Sequence, residues 1–237
     1  MTDSSDASRQ HVRWHAVESA EALADTAARR IVAIAARAIA ERGRFTIVLA
    51  GGSTPRAAYA LLRDAGAAWS SWHVYFGDER CAPRDDQERN SRMADEAWLR
   101  WVPIPPTQVH EIAAELGPIE GARRYSVLLA EVPPFDLVLL GLGEDGHTAS
   151  LFPGDETGFA ADAPDAVPVF AAPKPPPLRV SLGARRLALA RHVYFLVAGA
   201  DKAAALARWR AGESIPGARI RPRDGVDVFV AANGARA

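Results

Sequence analysis

The chain has 237 residues, enough for one large α/β domain or two small ones, and at 49% apolar composition it carries a sizeable core rather than disorder. Its 28 basic and 29 acidic residues leave a net charge of −1, which offers no nucleic-acid or membrane surface, although a local basic cluster still suits phosphate on a small molecule. The single cysteine, Cys81, excludes an internal disulfide and a cysteine-based zinc site, and with no run of 18 apolar residues and no apolar leader a cytoplasmic protein is expected.

Met1 to Gln10 is polar and acidic and reads as a frayed tail, with one domain over 11–237. Ser19 to Arg42 reads as a helix: Leu23, Ala27, Ile31, Ile34, Ala35 and Ala38 follow the three-four spacing of a buried face, and Gly43 stands where a C-terminal cap belongs. Phe45 to Ala50 is a buried strand. Gly51-Gly52-Ser53-Thr54 is a turn into a helix that begins at Pro55 and ends at Gly66. Trp72 to Phe76 is a second strand, followed by Gly77-Asp78-Glu79-Arg80. The charged stretch from Arg84 to Arg89 reads as a surface loop, and Asn90 or Ser91 caps a helix running to about Trp101.

Val109 to Ile112 is a short strand, Glu120 to Glu131 a helix and Phe135 to Leu140 a strand. From Gly154 to Pro177 the chain is rich in Ala, Pro, Asp and Gly and reads as a long loop with one strand at Val167 to Phe170. Arg179 to Leu182 is a strand, Gly183 to Ala190 a turn and short helix, His192 to Ala198 a strand, Asp201 to Arg210 a helix and Val226 to Val230 the last strand. Strands alternate with helices and read as continuous apolar runs. The expected fold is therefore a single-domain, doubly wound, mostly parallel α/β sheet with helices on both faces. Ligands of such sheets sit outside the carboxyl ends of the strands, so the loops at 51–54, 77–80 and 141–147 share one rim.

Gly51-Gly52-Ser53-Thr54 presents backbone N–H groups and a helix N-terminus, which suits phosphate; the plain alternative is a tight turn with a Ser or Thr cap. It lacks the Gly-Lys-Ser/Thr ending of a P-loop, and Pro55 replaces the last glycine of a nucleophile elbow. Arg80 at the strand end grips a phosphate or carboxylate through its planar fork, or else makes a surface ion pair. Gly141-Leu-Gly-Glu-Asp-Gly146 matches the spacing of a dinucleotide fingerprint, but Pro153 comes seven residues after Gly146, Glu144 and Asp145 would repel a pyrophosphate, and no acid follows at the ribose-binding distance. The functional residue of this stretch is His147, flanked by Asp145 and Thr148, where a carboxylate orients the ring as a general base. The other histidines (His11, His15, His73, His110 and His192) read as structural, and no spacing suits a metal.

Gly51-Gly-Ser-Thr-Pro, Gly77-Asp-Glu-Arg, Gly141-Leu-Gly-Glu-Asp-Gly-His-Thr-Ala-Ser-Leu-Phe-Pro and Pro173-Lys-Pro-Pro-Pro-Leu-Arg179 occur in an order and spacing that resembles the 6-phosphogluconolactonase family, within the glucosamine/galactosamine-6-phosphate isomerase superfamily. The resemblance spans roughly Phe45 to Asp201. It departs at the last strand, where the family often carries an Asp and this chain has Val230-Ala231-Ala232. It implies hydrolysis of 6-phospho-D-glucono-1,5-lactone, without cofactor or metal, by a monomer or small homo-oligomer with this sugar lactone as its partner. It implies His147 as the base, Asp78 on sugar hydroxyls or the attacking water, and Arg80 on phosphate or developing charge. Lys174 and Arg179, with the N–H groups around Gly51 to Thr54, form the phosphate pocket. Glucosamine-6-phosphate deaminase resembles this motif through the histidine but continues Phe-Asn-Glu-Pro, where this chain has Ser150-Leu-Phe-Pro153 without a carboxylate. A sugar-phosphate-sensing module without catalysis is a third alternative.

Overall fold

Residues 10–232 are described by a computed structural model. The tail expected at 1–10 lies outside the described residues except for Gln10. Gln10 is tied down: its side-chain amide donates to Gly217 O at 3.0 Å and to Ile220 O, and its Oε1 accepts from Trp209 Nε1 at 2.9 Å.

Helix α1 (Ala20–Arg42) is delimited as its sequence requires. Ser19 caps it through Oγ, which accepts from Ala22 N at 3.2 Å, and Gly43 ends it at φ 73°, where its N–H reaches Ile39 O at 2.8 Å. The face carrying Leu23, Ala27, Ile31, Ile34, Ala35 and Ala38 is buried. Among the described residues, ten strands form two sheets. The first is seven-stranded and parallel throughout: β1 (Val12–Val17), β10 (Val226–Ala231), β9 (Ala190–Val197), β6 (Phe135–Leu140), β2 (Phe45–Leu49), β3 (Trp72–Phe76) and β5 (Val109–His110), in that spatial order. Every residue of β2 and β6 is buried, as expected for central strands covered on both faces. Their apolar runs feed one contiguous core that extends into α1, α2 (Ser53–Leu62), α3 (Asn90–Ala97), α4 (Pro118–Leu129), α5 (Ala184–Ala188) and α6 (Ala203–Arg210). From β2 the chain proceeds outward through β3 and β5; from β6 it proceeds the other way through β9 and β10. The order reverses between β2 and β6, so the crevice at their carboxyl ends is the topological switch point.

The second sheet is antiparallel, in the order β4 (Asp78–Arg80), β8 (Arg179–Leu182) and β7 (Ala166–Val169). It is not evident from the sequence, in which Asp78 to Arg80 reads as a rim loop. Three charged residues become a strand because β8 lies beside them, pairing Asp78 with Ser181 and Arg80 with Arg179. Strand β1 is likewise unanticipated. It is an edge strand of mixed polarity, half-buried along most of its length, so it lacks an apolar run.

The expected surface loop from Arg84 to Arg89 is corrected at its end. Arg89 is fully buried, with its guanidinium against Glu79 (3.4 Å) and Glu115 (3.0 Å) and donating to Ile112 O at 2.8 Å. Full burial of an arginine is tolerated because these acceptors satisfy it. Helix α2 starts at Ser53 and ends at Leu62, short of Gly66, and α3 ends at Ala97 with a separate tight turn over Leu99–Trp101. Among the described residues no helix is long and apolar enough to cross a membrane.

Candidate active site

A cleft of about 600 Å³ opens at the switch point, walled by the segments that follow β2, β3, β6 and β9 and by the proline-rich segment before β8. The segment after β6 holds the histidine in a tight coil. Gly143 N–H donates to His147 O (2.8 Å), Gly146 N–H to Gly143 O (3.0 Å), and Thr148 Oγ1 to Gly141 O (2.9 Å). Gly146 sits at φ 90° and Ala149 at φ 48°, a left-handed conformation that costs a residue with a Cβ and is imposed here beside the cleft. Gly143 is required by space: a Cβ there would lie 2.0 Å from His147 Nδ1.

One carboxylate oxygen, Asp145 Oδ1, takes both the His147 backbone N–H (3.0 Å) and the ring Nδ1 (2.6 Å). Burial pushes the Asp145 carboxyl up, but the hydrogen bonds and the charge of His147 outweigh it and hold the group below the usual aspartate range. An ionised carboxylate only accepts, so Nδ1 carries the proton and the lone pair of a neutral ring is on Nε2. Nε2 has no hydrogen-bond partner among the described residues, and His147 lines the cleft. The Phe152 ring packs on the imidazole with centroids 4.7 Å apart.

On the facing side, α2 begins at Ser53 with no side-chain cap, after Gly52 at φ 101°. The plain alternative of a Ser or Thr cap is therefore not what the loop does. The N–H groups of its first turn point out of the helix end with the positive end of its dipole, an arrangement whose chemistry suits an anion.

Two arginines flank this site. Arg80 and Arg179 are directly paired across β4 and β8, which puts both side chains on one face, and both line the cleft. Like charges directly opposite are unfavourable unless an anion shares them. Arg80 Nη1 contacts Glu88 O, while its buried Nε has no partner. Arg179 donates through Nε to Pro176 O (3.1 Å) and through Nη2 to Lys174 O (2.8 Å), so it also holds the proline-rich loop; burial pulls its affinity for the proton down. Lys174 sits at the mouth, its Nζ 2.7 Å from Glu144 Oε1, with both side chains largely exposed.

A model of the family described as glucosamine-6-phosphate isomerases/6-phosphogluconolactonase matches residues 18–229. The chain belongs to this family. It is 38% identical over 205 residues to a 6-phosphogluconolactonase of Streptomyces coelicolor, covering 79% of this chain and 78% of that one. Among solved structures, a 6-phosphogluconolactonase from Trypanosoma brucei is 28% identical with a TM-score of 0.86, covering 95% of this chain and 98% of that one. A monomeric glucosamine-6-phosphate deaminase is similar in fold alone, at 20% identity and a TM-score of 0.81, covering 94% and 98%.

Within this cleft, the fold brings together Gly51, Gly52, Ser53, Thr54, Asp78, Arg80, His147, Lys174 and Arg179, which are dispersed over more than a hundred positions of the chain. Asp145 does not line the cleft; it stands behind His147 and acts on the ring. The other five histidines, all among the described residues, lie elsewhere. The structure adds Asn90 and Lys202 to the wall and Ser150 behind it. Lys202 follows Gly199 after β9, the same strand, glycine, helix order as the other rim loops, and that order was the available signal. Asn90 and Ser150 carry no signal in the sequence, because what they touch, Asp78, is remote from both. Among the described residues, no three His, Cys, Asp or Glu side chains gather as metal ligands.

Proposed function

We propose that this chain hydrolyses 6-phospho-D-glucono-1,5-lactone to 6-phospho-D-gluconate, a step of the oxidative pentose phosphate pathway. The observation that carries this is a histidine held at Nδ1 by Asp145 while its unpartnered Nε2 shares a cleft with an uncapped helix N-terminus and a pair of arginines. Family membership and the names of the relatives support the same substrate.

His147 Nε2 takes a proton from a water as its oxygen bonds to the lactone carbonyl carbon. The charge that develops on the carbonyl oxygen lies in the positive field of Arg80, Arg179 and Lys202. When the tetrahedral intermediate collapses, the bond from carbonyl carbon to ring oxygen breaks, and the imidazolium returns its proton to that oxygen, leaving a hydroxyl and a carboxylic acid that ionises. Asp145 stabilises the imidazolium between the two transfers, without itself taking the proton. The phosphate sits against the Ser53 and Thr54 N–H groups and the arginine pair, with Lys174 closing over it from the mouth. Asp78 accepts from sugar hydroxyls.

Deamination of glucosamine 6-phosphate is disfavoured by the residue next to the base. Where the deaminase motif carries a glutamate, Phe152 packs its ring on the imidazole. Purified protein should accelerate disappearance of the phosphorylated lactone above its spontaneous hydrolysis and release no ammonia from glucosamine 6-phosphate. His147→Ala should lower turnover by about 10²–10⁴-fold. Ammonia release, or lactone loss at the spontaneous rate, refutes the proposal.

A further inference from the structure

Asp78 lines the cleft with only 6% of its surface exposed, and a carboxylate so deeply set needs its oxygens satisfied. Two side chains do this from opposite flanks. Asn90 Nδ2 donates to Asp78 Oδ1 at 3.0 Å and to the Asp78 backbone carbonyl at 2.9 Å, and Ser150 Oγ donates to Oδ2 at 2.6 Å. Both donors are themselves anchored. The Asn90 N–H donates to the buried Glu79 carboxylate at 2.7 Å, and the Asn90 amide fills the space beside Gly51, where a Cβ would lie 2.1 Å from Oδ1. The Ser150 N–H donates to Ser181 Oγ at 3.2 Å, and Ser181 is the cross-strand partner of Asp78.

We propose that Ser150 and Asn90 are positioning residues that aim the Asp78 carboxylate into the cleft as a fixed hydrogen-bond acceptor, so that the cleft selects a polyhydroxylated sugar skeleton and not merely a phosphate. Each carboxylate oxygen has two acceptor directions. One on each is taken by the clamp, and the carboxylate cannot rotate without breaking a bond, so the remaining direction is preorganised for a sugar hydroxyl. Ser150 is 1% exposed and does not line the cleft, so it acts only through Asp78. It lies three positions after His147, so the clamp also sets the spacing between the hydroxyl acceptor and the base.

The proposal rests on the sugar-phosphate function argued above, and calorimetry with 6-phosphogluconate as the probe tests it independently of turnover. Ser150→Ala and Asn90→Ala should each weaken 6-phosphogluconate binding about tenfold, the worth of a hydrogen bond to a charged group, while binding of inorganic phosphate is unchanged. In turnover the loss should fall on KM, with kcat within about threefold, and Ser150→Thr, which keeps the hydroxyl, should restore binding. In an Asp78→Asn background neither alanine should weaken binding by more than about twofold. Equal weakening towards phosphate and 6-phosphogluconate, or losses that multiply with Asp78→Asn, would overturn the clamp. If Ser150→Ala does not fold, Asn90→Ala carries the same test. Binding without hydrolysis by the wild type would refute the lactonase function and leave the clamp standing; no binding by the wild type would refute both.

Discussion

Asp145→Asn isolates what the carboxylate does for His147. Asparagine keeps the shape, but its side chain can present an N–H where Oδ1 now accepts from Nδ1 at 2.6 Å. The ring then answers with an acceptor at Nδ1, its proton moves to Nε2, and the base is lost from the cleft side. A hydrogen bond to a charged group contributes about 1.5–3 kcal/mol, a factor of about 10–150 in rate if it is realised fully in the transition state. The same replacement of the buried aspartate behind a serine-protease histidine lowers kcat about 10⁴-fold. Here the Asp145 side chain is 39% exposed, so water takes over part of its work, and the expected loss lies between those limits at about 10²-fold in kcat. The backbone N–H of His147 shares Oδ1 and loses its acceptor in the same exchange, which should cost about 1–3 kcal/mol of stability, with the fold checked by far-UV circular dichroism. The assay is acid release from the phosphorylated lactone in a pH-stat, corrected for spontaneous hydrolysis. A kcat within threefold of wild type would refute the orienting role, and with it the tautomer deduced for the ring.

Gly143→Ala should lower kcat about as far as His147→Ala, because a Cβ 2.0 Å from Nδ1 displaces the ring from Asp145, while far-UV circular dichroism stays unchanged. Lys174→Ala should raise KM for the phosphorylated lactone about tenfold and lower preference over the unphosphorylated lactone by the same factor. Its thermal midpoint should not change, since the Glu144 pair is exposed. Asp227 tests the charged seam of β1 and β10, where it accepts from Arg13 (2.7 Å) and His15 (2.6 Å). Burial pushes its carboxyl up, but these bonds prevail and hold it below the ordinary 3.8. Its contribution is therefore present above about pH 3.8 and lost as pH falls through the lowered folded-state value. Asp227→Asn should lower the thermal midpoint by about 3–6 °C at pH 7, for about 1–2 kcal/mol, and the gap should begin to narrow below about pH 3.8 and close beneath the lowered folded-state value.

Long apolar periods made most of the fold legible. The α1 face and the β2 and β6 runs are local patterns whose burial follows from composition, and the parallel sheet follows from their alternation with helices. Strand β1 was not legible because an edge strand with one neighbour needs no apolar run. Strand β4 was not legible because three charged residues pair only once β8 is beside them. The same contrast holds in the cleft. The sequence by itself determined the rim: the glycines that let a loop turn and the histidine and carboxylate two positions apart belong to contiguous segments whose chemistry is set by spacing. Only the tertiary structure decided how those groups are aimed. Asn90 and Ser150 meet Asp78 across chain separations of 12 and 72 residues, and Arg80 faces Arg179 through a strand pairing. Bond directions across such separations depend on packing of the whole sheet, and no local pattern in the chain encodes them.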